Sequence, residues 1–142
     1  MSSNLPHRDF VPALRFPFLT PWYDRLVALT VREARMKASL LTHAAVTPGE
    51  RVLDLGCGTG YWCYWLARMG ARPVGLDVSE GQLATARELQ REYGVDFPLL
   101  HASAEAAPLP DASFDIAFSE YGAAIWCDPY LWIPEAQRLL RP

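Results

Sequence analysis

The apolar positions after residue 50 form short runs that alternate with stretches of helical periodicity. The runs predict β-strands at residues 51–55, 73–76, 97–101 and 114–119. Apolar residues at helical spacing predict helices over 60–69 and 79–93 and a last helix that begins at residue 134. Strands and helices that alternate in this way build right-handed βαβ units. The pattern therefore predicts an α/β fold with a parallel sheet covered by helices.

Capping residues and proline support these boundaries. Ser79 and Gln82 have the spacing of a capping box that opens the second helix, and Gly94 is placed to end it. Pro98 falls in the third predicted strand. Because proline donates no backbone hydrogen bond, we expect that strand at an edge of the sheet.

The first 46 residues follow a different pattern. Residues 1–20 are rich in proline and aromatic side chains and predict an irregular arm. Thr20 and Pro21 suit the N-cap and the first position of a helix. Residues 22–46 contain no glycine or proline and carry apolar side chains at helical spacing, which predicts one long amphipathic helix.

Composition and charge narrow the functional classes. Of the 142 residues, 51% are hydrophobic, and the net charge is −3, without the basic excess that nucleic-acid binding requires. The cysteines Cys57, Cys63 and Cys127 do not have the number or spacing of a disulfide framework or a metal site. We find no signal-peptide pattern and no apolar run of about 18 residues, so we expect a cytoplasmic protein with no membrane or nucleic-acid partner.

A glycine-rich loop follows the first predicted strand, with Gly56, Gly58 and Gly60 at alternate positions. Ligands of open parallel sheets bind beyond the carboxyl ends of the strands, where glycines let them lie against the main chain. Asp77 ends the next predicted strand, where a carboxylate can accept hydrogen bonds from the hydroxyl groups of a ribose. Asp54, inside the first strand, needs a partner to offset the cost of its burial. These residues predict a site for a nucleoside-containing ligand.

The spacing of the glycines leaves the identity of that ligand open. The dinucleotide fingerprint is G-x-G-x-x-G, whereas residues 56–60 place the third glycine one position earlier. One hypothesis is a nicotinamide-dependent oxidoreductase. The other is a protein for a different nucleoside-containing cofactor.

Four segments together resemble one known family. "VLDLGCGTG" resembles motif I of the class I S-adenosylmethionine-dependent methyltransferases, and "GLDVSEGQLATARE" resembles their second strand with its ribose-binding acid. "ASAEAAPLPDASFDIAFSEYG" and "EAQRLLRP" are similar to two later segments of the family. The resemblance runs from about residue 50 to the last residue and points to the small-molecule, ubiquinone/menaquinone-methyltransferase-like branch.

The resemblance implies a Rossmann-like parallel sheet of seven strands in the order 3-2-1-4-5-7-6. This chain supplies the first four, in the order 3-2-1-4, so we expect residues 21–142 to be the N-terminal portion of a single methyltransferase domain, truncated after the fourth strand. An open edge on that strand would be prone to pair with another chain. A homodimer or a partner at this edge is therefore expected.

The resemblance also implies how the cofactor S-adenosylmethionine is held. Gly56, Gly58 and Gly60 would pack against its methionine and ribose parts. Asp54 would bond loop amides or the amino group of the cofactor, and Asp77 would hold the ribose hydroxyls.

The remaining implied contacts come from three other segments. Val78 would lie against the adenine face. The family commonly has an aspartate near the adenine amino group, and the corresponding residues here are Ser103, Ala104 and Glu105. Ser119 would lie near the methionine part, and Tyr23 would close over the cofactor.

The function that this resemblance implies is in-line methyl transfer to a small-molecule acceptor. The sulfonium is already activated, so alignment and exclusion of water would carry most of the rate. His101, Glu120 and Tyr121 are placed to be considered as a base, and none is assigned a catalytic role. Aromatic side chains could wall an apolar acceptor pocket: Trp22, Tyr23, Tyr121, Trp126 and Tyr130. A non-catalytic cofactor-binding or interaction module completed by a partner chain is the alternative, ahead of the oxidoreductase.

Overall fold

A computed structural model of the chain describes residues 39–40 and 42–142. The chain divides into two units, residues 1–44 and 45–142. In the first unit, residues 39–40 and 42–44 are helical. The predicted arm, most of the long helix and Tyr23 lie outside the described residues. The prediction that this helix reaches residue 46 is wrong, because Ala45 has a positive φ of 47° that interrupts helical geometry.

Residues 45–142 form a parallel sheet with helices, as predicted. The strands are β1 (Arg51–Leu55), β2 (Arg72–Asp77), β3 (Leu99–His101) and β4 (Ile116–Phe118), in the order β3-β2-β1-β4. The helices are α1 (Tyr61–Arg68), α2 (Glu80–Tyr93), α3 (Ala123–Trp126) and α4 (Pro129–Leu139). The order 3-2-1-4 and the parallel pairings confirm the predicted Rossmann-like arrangement.

β1 lies in the middle of the sheet and carries its core. Leu53 pairs with Val74 of β2 on one side and with Ala117 of β4 on the other. Leu53 and Leu55 are fully buried and pack with Phe114. Because β1 has neighbours on both edges, its carboxyl end and the loop that follows are held in a rigid frame.

The third and fourth strands are shorter than predicted. Residues 97 and 98 precede β3: Phe97 is buried in a cluster with Cys63 and Leu83, and the carbonyl of Pro98 accepts a hydrogen bond from Gly75 N at 2.9 Å. Apolar character at Phe97 therefore reflects core packing and not strand pairing. Residue 114 makes an isolated parallel bridge with Leu140 and lies outside β4.

The last helix begins earlier than predicted. It starts at Pro129, and its N-cap residue Asp128 accepts a hydrogen bond from Tyr130 N at 2.9 Å through Oδ1. The prediction of a start at Pro134 was wrong, because Pro134 lies inside the helix. Asp128 followed by Pro129 is a signal for the start of a helix. The helix continues through Pro134 although proline cannot donate the backbone hydrogen bond of that position, because only one such bond is lost.

Candidate cofactor site

The glycine loop between β1 and α1 has a backbone that depends on its glycines. Gly56, Gly58 and Gly60 have φ values of 84°, 53° and 78°. Such positive φ values are costly for residues with a Cβ atom. Gly56 also touches the segment after β4, because a Cβ atom on it would lie 2.5 Å from Gly122 Cα. The backbone N–H groups of Gly56 and Cys57 donate to Leu76 O of β2 at 2.8 and 3.0 Å. The loop is thus held between the end of β2 and the segment after β4.

Asp77 joins this loop to the start of α2. Its Oδ2 accepts a hydrogen bond from Gly58 N at 2.8 Å, and its Oδ1 accepts one from Ser79 N at 2.8 Å. Ser79 in turn caps α2 by accepting a hydrogen bond from Gln82 N at 3.3 Å, which is the first half of the predicted capping box. Asp77 therefore fixes the loop, and each carboxylate oxygen retains lone-pair capacity for a ligand.

Asp54 is a buried carboxyl group beneath the same loop. It is 1% exposed, and the thiol of Cys63 in α1 donates a hydrogen bond to its Oδ2 at 3.5 Å. Burial raises the pKa of Asp54 to about 7, with smaller contributions from the Cys63 bond, which lowers it, and from the charges of Asp77 and Glu120, which raise it. The sequence predictions do not include this contact of Asp54 with Cys63. Its position on the inner side of α1, nine residues after Asp54, is the only sequence signal for the contact.

A cavity of about 350 Å³ opens at the carboxyl ends of the strands. One wall is the loop with the end of β2, and it includes Gly56, Gly58, Asp77 and Val78. The other wall is formed by residues before and after β4: Ala102, Ala104, Tyr121, Gly122, Ala123, Trp126 and Cys127. The structure therefore brings together five of the predicted cofactor residues: Gly56, Gly58, Asp77, Val78 and Ala104.

Other predicted cofactor residues brace the cavity without lining it. Ser119 Oγ donates to Leu55 O at 2.9 Å and accepts from Ala124 N at 3.1 Å, so it fastens the segment after β4 to β1. Ser103 Oγ accepts a hydrogen bond from Glu105 N at 3.2 Å. The Glu105 side chain accepts one from Asp128 N at 2.8 Å and so holds the start of α4. These hydrogen bonds give Ser103, Glu105 and Ser119 a structural role in the segments that surround the cavity.

Gly60 faces away from the cavity. A Cβ atom on it would lie 3.2 Å from the ring of Phe97. Gly60 lines another cavity, of about 400 Å³, between α1 and α2, whose walls include Tyr64, Trp65 and Tyr93 and, in the part of the chain that is described, no charged side chain. The smaller cavity is the better cofactor site, because it lies at the strand ends and has a carboxylate and backbone amides in its wall.

The three side chains considered as a catalytic base, those of His101, Glu120 and Tyr121, lie in different surroundings. His101 Nε2 lies 2.9 Å from Val78 O, and its Nδ1 lies 3.4 Å from a Glu80 carboxylate oxygen, so both ring nitrogens have a partner at the start of α2. Glu120 accepts a hydrogen bond from the indole of Trp62 at 2.9 Å. Tyr121 is 71% exposed and lines the cavity.

Residues 39–40 and 42–142 contain neither a metal-binding cluster nor a membrane-spanning helix. No group of three His, Cys, Asp or Glu side chains in this part is arranged to hold a metal ion. No helix there is both long and apolar enough to cross a membrane.

Comparison with known proteins places this geometry in a family. The family profile described as "Methyltransferase domain" matches residues 52–142. The profile of "Protein-L-isoaspartate(D-aspartate) O-methyltransferase (PCMT)" matches residues 4–96. The two profiles overlap over residues 52–96, which contain the glycine loop and Asp77, and methyl transfer is what they have in common.

The curated relatives are methyltransferases by name. A malonyl-[acyl-carrier protein] O-methyltransferase of Serratia marcescens is 36% identical over 121 residues, which are 84% of this chain and 44% of that protein. A demethylmenaquinone methyltransferase of Clavibacter sepedonicus is 33% identical over 145 residues, which cover 100% of this chain and 58% of that protein. The chain thus spans about half the length of these relatives.

Solved structures share the fold. A SAM-dependent methyltransferase from Aquifex aeolicus superposes with a TM-score of 0.67 at 25% identity, covering 74% of this chain and 58% of that one. The [4+2]-cyclase SpnF superposes with a TM-score of 0.71 at 31% identity, covering 76% and 41%. The chain belongs to the methyltransferase domain family, within the class I S-adenosylmethionine-dependent methyltransferases.

Proposed function

We propose that this chain is the cofactor-binding portion, over residues 21–142, of an enzyme that transfers a methyl group from S-adenosylmethionine to an oxygen atom of a small-molecule acceptor. The observation that carries the proposal is the contact between Asp77 Oδ2 and Gly58 N, which brings a carboxylate and a glycine main chain together in one cavity. A carboxylate can accept hydrogen bonds from the hydroxyl groups of a ribose, and glycines let a ligand lie directly against the main chain of the loop. The O-methyltransferase relatives favour oxygen as the acceptor atom.

The residues in the cavity suit the parts of this cofactor. Asp77 would hold the ribose hydroxyls, and Gly56 and Gly58 would lie against the chain between ribose and methionine. Val78 is 65% exposed at the rim, and an exposed apolar side chain there is suited to an adenine face. Ala104 on the opposite wall leaves space for a flat base.

The chemistry asks little of the protein beyond positioning. When bound, S-adenosylmethionine supplies a methyl group on a sulfonium, which is an activated electrophile. The rigid clamp of the loop between β2 and β4 holds the site in one geometry, and that preorganisation is what accelerates an in-line transfer. We assign no catalytic base, because His101 and Glu120 are engaged by other residues.

The acceptor that fits best has an apolar or aromatic body. Tyr121 and Trp126 line the cavity and are 71% and 82% exposed, and Tyr130 at the start of α4 is 87% exposed. Ile125, Leu131 and Ile133 of α3 and α4 are also more than half exposed. Large aromatic side chains exposed together beside a cofactor cavity are typical of a surface that a ligand covers.

A second candidate function, a cofactor-binding module completed by a partner chain, rests on one observation. In the described part of the sheet, β4 pairs with β1 and has no strand on its other edge. An unpaired edge is a template for another strand, so a second copy of the chain or a partner chain could complete the sheet there. Sedimentation velocity at high concentration tests this point, because a strictly monomeric chain would contradict it.

The compartment that we propose is the cytoplasm. Cys57, Cys63 and Cys127 are free thiols, as expected in a reducing environment. Measuring the location of a tagged full-length protein would test this.

The test of the cofactor site is calorimetric titration with S-adenosylmethionine, S-adenosylhomocysteine and NAD. We expect micromolar binding of the first two and none of NAD. Asp77→Ala should weaken binding of both at least tenfold, since it removes a charged hydrogen-bond acceptor. Asp96→Ala, which removes an exposed carboxylate outside the cavity, is the matched control. Binding that survives Asp77→Ala unchanged would contradict the proposed ribose contact. Methyl transfer to apolar phenolic acceptors then separates the enzyme from the binding module.

A further inference from the structure

The first turn of α1 orients two carboxyl groups at the end of the sheet. The indole Nε1 of Trp62 donates to Glu120 Oε2 at 2.9 Å, and the thiol of Cys63 donates to Asp54 Oδ2 at 3.5 Å. Trp62 is 5% exposed, and its ring meets Phe118 of β4 edge-on with centroids 5.1 Å apart. The indole is therefore fixed by packing, and it fixes the Glu120 carboxylate in turn.

Both of these donors are neutral. A neutral donor orients a carboxylate without cancelling its charge. Within residues 39–40 and 42–142, the ion pairs involve neither Asp54, Asp77 nor Glu120. The charges of Asp77 and Glu120 also act on Asp54, whose pKa burial raises to about 7. The loop is thus surrounded by acidic groups without a countercation from the described part of the chain.

Glu120 is held close to the cofactor cavity by its neighbours in sequence. Ser119 is bonded to Leu55 O, and Tyr121 lines the cavity. The backbone of Gly122 is in van der Waals contact with Gly56. Glu120 thus directly precedes a cavity-lining residue in the chain, and its carboxylate lies at the indole of Trp62, close enough for its charge to act on Asp54.

We propose that the Glu120 carboxylate, with Trp62 as its positioning residue, makes the site prefer the cationic sulfonium of S-adenosylmethionine over the neutral thioether of S-adenosylhomocysteine. The proposal rests on the cofactor use proposed above. The two ligands share the adenosine and the amino-acid group, so Asp77 and the loop contact both alike. They differ by one positive charge on sulfur, which a carboxylate fixed near that sulfur stabilises. Such a preference limits inhibition by the product.

The test compares the dissociation constants of the two ligands by calorimetry for the wild-type chain, Glu120→Gln, Trp62→Phe and Glu92→Gln. At an effective dielectric constant of about 20, an opposite charge within about 12 Å of a cation strengthens its binding by a factor of about ten or more. We therefore expect Glu120→Gln to weaken S-adenosylmethionine about tenfold and S-adenosylhomocysteine less than about threefold. Glu92→Gln removes the same charge from an exposed site on α2 and should change neither.

Trp62→Phe keeps an aromatic ring beside Phe118 but removes the N–H donor. It should lower the ratio of the two dissociation constants in the same direction as Glu120→Gln, by a smaller factor, with thermal unfolding confirming a folded chain. Equal weakening of both ligands by Glu120→Gln, or no change in either, would overturn the inference. If the wild-type chain binds neither ligand, the proposed cofactor site itself fails, which is a distinct result.

Discussion

Gly56→Ala should be among the most destabilising small substitutions in this protein. Gly56 has a φ of 84°, and an added Cβ atom would lie 2.5 Å from Gly122 Cα and 2.7 Å from Ala123 N. Both of these atoms belong to the backbone, so no side-chain rotation can remove the overlap. The segment after β4 is also tied down, because Ser119 is bonded to Leu55 O. Either the loop or this segment must move.

Two costs add at this position. Placing a residue with a Cβ atom in the left-handed region costs about 1–2 kcal/mol, and forcing an extra methyl group into a packed site costs about 1–3 kcal/mol. We therefore expect Gly56→Ala to lower the free energy of unfolding by about 2–5 kcal/mol. Gly58→Ala and Gly94→Ala carry the first cost alone, since Gly58 has its nearest atom at 4.0 Å and Gly94 has nothing within 4 Å.

Equilibrium unfolding in urea measures these differences. The midpoint should fall most for Gly56→Ala with little change in the slope, which reports the surface exposed on unfolding. Gly122→Ala carries the overlap cost without that of a positive φ, because its φ is −99° and its Cβ atom would lie 2.4 Å from Leu55 O, so its midpoint should fall less than that of Gly56→Ala. The reasoning is refuted if Gly56→Ala unfolds within about 1 kcal/mol of Gly58→Ala, since that would mean that the contact with Gly122 is not tight.

Two further predictions concern stability and pH. The pKa of Asp54 is raised from 3.8 to about 7 in the folded chain, so the folded state binds the proton more tightly, and the free energy of unfolding should fall as pH rises between about 4 and 7. Asp54→Asn should remove this pH dependence and should unfold at a higher urea concentration than the wild-type chain at pH 8. An unchanged pH profile in the variant would show that Asp54 is not the group responsible. Ser79→Ala removes the side-chain acceptor for Gln82 N and should cost about 1 kcal/mol, whereas Thr85→Ala, on the exposed face of the same helix, should cost less by the same urea measurement.

Local signals in the sequence determined the frame of the fold. β1 is a compact apolar run, and α2 is bounded by Ser79 and Gly94 in the structure as in the prediction. The parallel sheet followed from alternation, since right-handed crossovers leave few topologies. The glycine loop and Asp77 were also recognisable, because a residue that must adopt positive φ or end a buried strand is chosen by its own backbone. These features depend on neighbours within a few positions.

Only the tertiary structure decided which side chains meet. Gly60 has the same spacing as Gly56 and Gly58, yet it packs on Phe97 and faces away from the cofactor cavity. Trp62 and Glu120 are 58 positions apart, and they meet because the Trp62 ring in the first turn of α1 packs on Phe118 at the end of β4. Phe97 resembled a strand residue but is a core residue between helices. Hydrophobic periodicity records whether a position is buried, whereas the partner it is buried against depends on how distant elements pack.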